Sequence, residues 1–265
     1  MTRKILLIRA DDLRHNALAS VFKKNGFILG EVIEKKNYYK NTVMSNSISL
    51  HFEARKKVES DYFYDLINEN KLDKNQKIEC SDVNGYQVIA FAKNFDPELV
   101  ITFGCSILKS PWLDLFEGRI LGIHLGLSPY YRGAGTNFFP FVNNELGAVG
   151  YTLMKLNSGI DMGDVIHQSY ATFKIEDDIH TIGTRLITKM FDDILKISNL
   201  QDIVSEFKLA IKQPNIKNSR IYRKLDFTEK ALAQAQNNLM NKIVEGHISN
   251  IEIERIKFPL IRQIV

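Results

Sequence analysis

The sequence predicts an α/β fold: a mostly parallel sheet with flanking helices, followed by a small, mainly helical C-terminal appendage. Short β-branched runs alternate with helical stretches along the first 200 residues, an order typical of parallel strands joined by crossover helices. Several of the strand candidates are continuously apolar, as expected for strands that are buried on both faces. From about Gln201 the chain becomes rich in Lys and Asn. We therefore predict a main domain over residues 1–200 and a C-terminal helical extension over residues 201–265.

Each element has a local signal. The strands are apolar runs bounded by charged or turn-forming residues, and the first helix ends at Asn25-Gly26, a common helix stop. The predicted strands cover Lys4–Ile8, Phe27–Ile33, Leu99–Phe103, Ile120–His124, Gly150–Leu156 and Val165–Phe173. The predicted helices cover Asn16–Lys24, Leu50–Asn70, Pro111–Phe116, Asp178–Asn199 and Thr228–Glu245, and Lys35–Asn46 is predicted to be an exposed loop.

Composition and charge exclude several classes of protein. Hydrophobic residues make up 45% and charged residues 25% of the chain, which is ordinary globular composition. The formal net charge of +4 is too weak to indicate a nucleic-acid partner. From Gln201 onward, 11 Lys and Arg face 7 Asp and Glu, so this part is either a solvated helical surface or a contact for an anionic substrate.

Cysteine usage and hydropathy indicate a cytoplasmic protein. The two cysteines, Cys80 and Cys105, lack metal-type spacing, so neither a zinc site nor a disulfide framework is expected. The N-terminal apolar run, Ile5–Ile8, is too short for a signal peptide, and no later run approaches the length of a membrane span.

Two polar loops next to predicted strands are the candidate functional site. His124 ends one strand and leads into a loop with Gly and Pro, while Asp161 lies in a tight loop between two later strands. Gly104 also follows a strand, and ligands of open α/β sheets bind beyond the carboxyl ends of the strands. Each residue taken alone also has a structural interpretation, because histidines at strand ends often only pack and aspartates between glycines often only form turns.

Together, the segments 122–133 and 158–164 resemble the folate-dependent formyltransferase family, which includes the glycinamide ribonucleotide, methionyl-tRNA and amino-sugar N-formyltransferases. The resemblance implies a Rossmann-like fold, 10-formyltetrahydrofolate as the formyl donor, and His124 and Asp161 as catalytic residues. Flanking positions that match the family pattern are Pro129, Arg132, Gly133 and Gly163. The resemblance implies no metal.

The same resemblance implies a folate-binding pocket with two walls. One wall is the segment Gly104, Cys105, Ser106, Ile107 and Leu108, which is similar to the family segment that lines the pterin pocket. The opposite wall is the segment Asn157, Ser158, Gly159 and Ile160.

The chain departs from the family at one central position. The family has a catalytic Asn two residues before the histidine, and this chain has Gly122 there. Loss of one donor to a developing oxyanion typically costs about 100- to 1000-fold in rate. Three interpretations follow: Asn137 supplies the missing donor, the chain transfers a different one-carbon group or reacts slowly, or the chain is a non-enzymatic folate- or partner-binding relative.

The resemblance favours transfer of a formyl group to a small-molecule amine. An imidazole gains and loses a proton near neutral pH, so His124 suits the stabilisation of a developing oxyanion and the relay of a proton, while Asp161 would orient it. After residue 210 the chain lacks the strand-and-turn pattern expected of the methionyl-tRNA branch, so we expect an acceptor such as a nucleotide-linked amino sugar of polysaccharide biosynthesis. A possible homodimer is compatible with this assignment. A nucleotide-binding Rossmann module is disfavoured, because no Gly-x-Gly-x-x-Gly follows Lys4–Ile8.

Overall fold

The computed structural model describes residues 3–35, 45–68, 76–199 and 203–265. The strands are β1 (Lys4–Arg9), β2 (Ile28–Glu34), β3 (Lys77–Cys80), β4 (Leu99–Phe103), β5 (Ile120–His124), β6 (Tyr131–Gly133), β7 (Gly150–Lys155), β8 (Val165–Tyr170) and β9 (Arg220–Tyr222). The helices are α1 (Leu13–Lys24), α2 (Asn46–Asn68), α3 (Tyr86–Phe95), α4 (Ser110–Leu115), α5 (Phe139–Asn143), α6 (Ile179–Ser198), α7 (Ile203–Lys208), α8 (Glu229–Met240), α9 (Ile243–Ser249) and α10 (Ile251–Ile256).

A seven-stranded sheet with the order β3-β2-β1-β4-β5-β7-β8 forms the centre of the molecule. The first five strands in this order are parallel, whereas β7 is antiparallel to β5 and β8 is antiparallel to β7. The prediction of an α/β fold with a mostly parallel sheet, flanking helices and C-terminal helices is confirmed. A separate two-stranded sheet pairs β6 with β9.

Helices cover both faces of the large sheet, which explains why its central strands are continuously apolar. On one face, Leu18 of α1, Phe63 of α2 and Phe191 of α6 belong to the same buried core as the odd-numbered residues of β1 and β4. On the other face, Val88 of α3 and Trp112 of α4 pack against the even-numbered residues of these strands. The sequence pattern therefore places β1 and β4 at the centre of the sheet.

One predicted helix is divided in the structure, and one strand is present that was not predicted. The predicted helix Thr228–Glu245 is interrupted at Lys242, whose φ of +61° is outside the helical range, so α8 and α9 are separate helices. The strand β3 was not predicted, since Lys and Glu alternate with its apolar residues. Most of the predicted loop Lys35–Asn46 and the last two residues of the predicted helix Leu50–Asn70 lie outside the described residues.

The C-terminal extension packs closely on the main domain. β9 pairs with β6, and Asn238 of α8 donates hydrogen bonds to the carbonyls of Phe141 and Val142 at 2.7 and 3.1 Å. Near the end of the chain, the backbone N–H of Ile264 donates to Nδ1 of His167 at 3.1 Å. The boundary at residue 200 stays a prediction. Across the part of the chain that the structure describes, no helix combines the length and the apolarity needed to cross a bilayer.

A buried polar network attaches α6 to the sheet. Asp193 of α6 is 1% exposed; it accepts a hydrogen bond from Tyr151 Oη on β7, and its Oδ2 lies 3.5 Å from His167 Nε2 on β8. Lys189 also pairs with this carboxylate. Burial by itself would raise the pKa of Asp193, but the hydrogen bonds from His167, Lys189 and Tyr151 outweigh it and hold this pKa well below its usual range. The network accounts for His167 as a structural residue of the core.

We expect Asp193→Ala to lower the free energy of unfolding by about 3 kcal/mol at neutral pH, because it leaves buried partners without their counter-charge. A carboxyl group whose folded-state pKa is depressed stabilises the protein above its unfolded-state pKa, about 3.9, and this contribution is lost as the pH falls further. The difference between variant and wild type should therefore shrink below about pH 4. Urea denaturation at several pH values measures this difference in the free energy of unfolding. The control is Asp192→Ala, because Asp192 is the exposed neighbour of Asp193. Equal effects of the two substitutions would contradict the role of the network.

Candidate active site

The buried imidazole of His124 lies between two acceptors. It is the last residue of β5 and is 6% exposed. Its Nδ1 lies 3.3 Å from Oδ2 of Asp161, and its Nε2 lies 2.9 Å from the backbone oxygen of Tyr131. A Cβ on Gly126 would lie 2.6 Å from His124 Nε2, so the chain after the strand can pass this ring only with a residue that has no side chain.

Asp161 reaches His124 because the loop between β7 and β8 folds back across β5. Strand β7 runs antiparallel to β5, so its end at Lys155 lies beside Leu121, near the start of β5. The carboxylate nevertheless contacts the residue that ends β5, and its Oδ2 also accepts a hydrogen bond from the backbone N–H of Gly133 at 2.7 Å. The φ of Asp161 is +50°, a left-handed conformation that costs a non-glycine residue free energy.

Gly163 makes this fold-back possible. A Cβ at this position would lie 1.9 Å from the carbonyl oxygen of Lys155 and 3.3 Å from Cγ of Met154. The loop therefore lies directly against β7, and any side chain at residue 163 would push it away. This contact gives a physical reason for the Asp-x-Gly spacing that the sequence shows.

Asn137, the predicted replacement donor, lines the same cavity as His124 and Asp161. Its Oδ1 accepts a hydrogen bond from the backbone N–H of Gly150 at 3.0 Å. This contact fixes the orientation of the amide, because the oxygen is held at the start of β7. The amide nitrogen makes no hydrogen bond to a side chain or backbone group in the described ranges.

The structure brings only part of the predicted folate-binding set to this cavity. Gly104 and Cys105 line it, and Gly104 has a φ of +69°; a Cβ there would lie 2.4 Å from Nε2 of His15. The remaining predicted residues are not among the described residues that line it. They are Ser106, Ile107, Leu108, Asn157, Ser158, Gly159 and Ile160.

These remaining residues lie on the two loops beside the cavity and differ in their contacts. The N–H of Ser106 donates to Glu34 Oε2 at 2.7 Å, and Leu108 is buried in the core. Asn157 uses its side chain within its own loop, where its Oδ1 accepts from the Gly159 N–H at 2.9 Å. Their assignment to a folate pocket stays a prediction.

Leu156 occupies the space next to Gly122. A Cβ on Gly122 would lie 2.8 Å from Cδ1 of Leu156, the flexible end of that side chain. An asparagine at residue 122 could therefore be accommodated only if Leu156 moved. The sequence alone did not reveal this contact, since Gly122 lies on β5 and Leu156 follows β7, far away in the chain.

The cavity has a volume of about 680 Å³, which is within the usual range for small-molecule sites. Besides His124 and Asp161, it is lined by cationic side chains that the sequence analysis did not identify: Arg14, Arg55, Arg223 and Lys224. Glu59 pairs with Arg14 and lies 3.7 Å from Nε of Arg55, so these two guanidinium groups are held in place by a buried carboxylate. Among the described residues, no group of three or more His, Cys, Asp or Glu side chains is placed to bind a metal ion.

An aromatic cluster forms another wall of the cavity. The His51 ring lies 4.5 Å from the His180 ring and 5.3 Å from the Phe227 ring, and Phe227 lies 4.5 Å from Phe138. Burial, followed by the nearby His180 and Arg55, lowers the pKa of His51 to about 4. Burial also lowers the pKa of His180. Both rings are therefore neutral at physiological pH and can serve as flat stacking surfaces.

The contact between His124 and Asp161 lies within a segment of the chain that matches a known family. Residues 26–192 match the family described as "Formyl transferase". The chain belongs to the formyl transferase family. The match includes Gly104, His124, Asn137 and Asp161, whereas the whole C-terminal extension lies beyond it.

The curated relatives that this formyl transferase chain matches include methionyl-tRNA formyltransferases. The enzyme from Finegoldia magna is 27% identical over 124 residues, which are 43% of this chain and 39% of that protein. The enzyme from Streptococcus uberis is 28% identical over 160 residues, which are 57% of this chain and 50% of that protein. The match thus spans half or less of the length of these relatives.

Solved structures of other formyltransferases share the fold over most of their length. A sugar N-formyltransferase from Shewanella has a TM-score of 0.56 at 18% identity, with 89% of this chain and 88% of that chain covered. The formyltransferase PseJ from Anoxybacillus kamchatkensis, solved with UDP-4,6-dideoxy-4-formamido-L-AltNAc and tetrahydrofolate, has a TM-score of 0.51 at 20% identity and 87% and 90% coverage. Phosphoribosylglycinamide formyltransferase from Streptococcus pneumoniae has a TM-score of 0.52 at 18% identity, with 74% and 96% coverage.

We expect Gly163→Ala to destabilise the protein by about 1–3 kcal/mol, because the new Cβ would meet the Lys155 carbonyl and the loop would have to shift. Thermal denaturation measures the effect. The matched control is Gly246→Ala on α9, where nothing lies within 4 Å of the new Cβ and alanine should stabilise the helix. A variant at residue 163 that is as stable as wild type would show that the loop does not depend on close contact with β7.

Proposed function

We propose that this chain is an N-formyltransferase that moves a formyl group from 10-formyltetrahydrofolate to the amine of a nucleotide-linked amino sugar. The observation that carries the proposal is the buried contact between His124 and Asp161 at the wall of a cavity large enough for a small-molecule acceptor. Membership of the formyl transferase family supports the same chemistry.

The residues around the catalytic pair fit a folate donor in one respect. The two loops that resemble the pterin-pocket walls present large apolar side chains to solvent, with Ile107 61% exposed and Ile160 51% exposed. Exposed apolar side chains such as these are what a flat heteroaromatic ring system can cover. The donor supplies the formyl carbon when bound.

The chain's own residues would stabilise the negative charge on the formyl oxygen and carry the proton that the amine loses. In the transfer, a bond forms between the amine nitrogen and the formyl carbon, the bond from that carbon to the folate nitrogen breaks, and a proton moves from the amine to that nitrogen. His124 would donate a hydrogen bond to the formyl oxygen, where negative charge develops, and would relay the proton. Asp161 would hold the imidazole in position, while the Gly133 N–H holds Asp161. Since Tyr131 O contacts His124 Nε2, this nitrogen must leave that carbonyl or share its proton to reach a ligand.

The cationic and aromatic walls of the cavity favour a nucleotide-linked acceptor. The guanidinium groups of Arg14 and Arg55 suit phosphate oxygens, and the ring cluster around His51 and Phe227 suits stacking with a nucleobase. The similar PseJ structure contains a UDP-linked formamido sugar and tetrahydrofolate. We accordingly propose a cytoplasmic enzyme of polysaccharide biosynthesis whose amine substrate is this class of molecule.

Incubation of the protein with 10-formyltetrahydrofolate and a panel of UDP- and dTDP-linked amino sugars, with release of tetrahydrofolate as the readout, tests the proposal. We expect turnover with at least one nucleotide-linked amine and little with the same amino sugar lacking the nucleotide. His124→Ala should lower kcat by about 100- to 10,000-fold because proton transfer loses its carrier. Retention of full activity in this variant would remove the assigned mechanism.

Gly122 and Leu156 favour a second candidate, a folate-binding relative without turnover. The two candidates differ in what supplies a donor to the formyl oxygen. If Asn137 supplies it, Asn137→Asp keeps the acceptor for the Gly150 N–H but removes the donor, and kcat should fall by about 100-fold. In that case the double variant Gly122→Asn/Leu156→Ala should have a kcat no higher than that of wild type. If the protein binds folate without turnover, the double variant should gain activity, whereas Gly122→Asn alone should gain less because Leu156 fills the space.

A further inference from the structure

A short stretch of the C-terminal extension contacts both loops of the catalytic pair. We call residues 211–222 the crossing segment. Ile211 exchanges two backbone hydrogen bonds with Val165 at the start of β8, at 2.7 and 2.9 Å. This pairing places Gln213, two residues later, against the loop that carries Asp161.

Gln213 bonds two backbone carbonyls of the turn at Asp161. Its Nε2 donates to the carbonyl oxygen of Asp161 at 2.9 Å and to that of Gly163 at 2.8 Å. Asp161, which supplies the first of these carbonyls, is a non-glycine residue in the left-handed conformation, which persists only where the surroundings hold it. One amide group that satisfies two carbonyls of the same turn is such a restraint. Because the direction of the Asp161 side chain depends on the backbone of this turn, the restraint also aims the carboxylate at His124.

The other end of the crossing segment restrains the loop that follows His124. Ser219 Oγ donates to the Pro129 carbonyl at 2.6 Å and accepts from Nη2 of Arg132 at 2.7 Å. Next, β9 pairs with β6, and the Tyr222 carbonyl accepts from the Ala134 N–H at 2.8 Å. β6 ends at Gly133, whose N–H donates to Asp161. The hydrogen bond that holds the Asp161 carboxylate is donated by the Gly133 N–H. The crossing segment therefore restrains the chain on both sides of this bond.

We propose that Gln213 is a positioning residue for the catalytic pair: it holds the turn at Asp161 so that one carboxylate oxygen meets both His124 and the Gly133 N–H. It acts through Asp161 and makes no contact with His124. The kinetic part of the proposal rests on the proposed formyl transfer, whereas the structural part does not.

Kinetics of three variants test the role of Gln213 in the transfer reaction. Gln213→Met has a similar shape but no donor, and kcat should fall about 10- to 100-fold, as small displacements of reacting groups typically do, while KM for either substrate changes less than about threefold. Gln213→Glu should be slower still, because its carboxylate would face two carbonyl oxygens. Gln234→Ala is the control, since Gln234 is exposed on α8 and its side chain donates only to Asn238 among the described residues.

The same substitutions in an Asp161→Asn background separate positioning from general destabilisation. If Gln213 acts through Asp161, Gln213→Met should cost little once the carboxylate is absent, since residues that act as a unit are not additive. A loss that is equally large in both backgrounds, or that falls mainly on KM, would overturn the proposal.

Amide hydrogen exchange of Gly133 tests the proposal without any turnover. In Gln213→Met the carboxylate should no longer hold the Gly133 N–H, so this amide should exchange at least about tenfold faster than in wild type, while amides of the central strand β4 stay protected. The wild-type protein could show no formyl transfer while Gly133 exchanges faster in Gln213→Met than in wild type. In that case the proposed function fails and the positioning role stands. Unchanged exchange of Gly133 in a folded Gln213→Met protein would overturn the positioning role itself.

Discussion

The left-handed turn at Asp161 is the constraint on which the candidate site depends. The loop that contains it leaves β7 near the start of β5 and must return to the end of β5 to reach His124. It can do so only by lying flat against β7, where Gly163 leaves no room for a side chain. A carboxylate and an imidazole from distant parts of the sequence thus meet because the backbone accepts an unfavourable conformation that neighbouring groups stabilise.

At residue 122 the surroundings of the candidate site are apolar rather than polar. Where the family has an amide two residues before the histidine, this chain has Gly122, and the methyl end of Leu156 lies in the space beside it. The polar groups that remain around the cavity, including Asn137, are held by the backbone of neighbouring elements. Donors that are fixed in this way stabilise a developing charge effectively, because they need no reorganisation during the reaction.

Much of the fold could be predicted from local sequence signals. The bounds of β4 and β5 were predicted to the residue, because both are apolar runs with sharp ends that are buried on both faces. β3, β6 and β9 could not be predicted, since short strands at an edge or in a small sheet form through pairing with distant partners rather than through their own pattern. The break between α8 and α9 was missed for a similar reason: no Gly or Pro marks the left-handed residue Lys242.

For the candidate site, the sequence by itself determined which side chains are candidates for the chemistry and that they lie at strand ends and in tight loops. Only the tertiary structure decided that Asp161 returns across β5 to His124, that Leu156 lies beside Gly122, and that Gln213 bonds the turn at Asp161. It also decided that His167 belongs to a buried network with Asp193 rather than to the cavity. The physical reason is that side-chain chemistry is local to a residue, whereas contacts between loops depend on the order and direction of strands that are far apart in the chain.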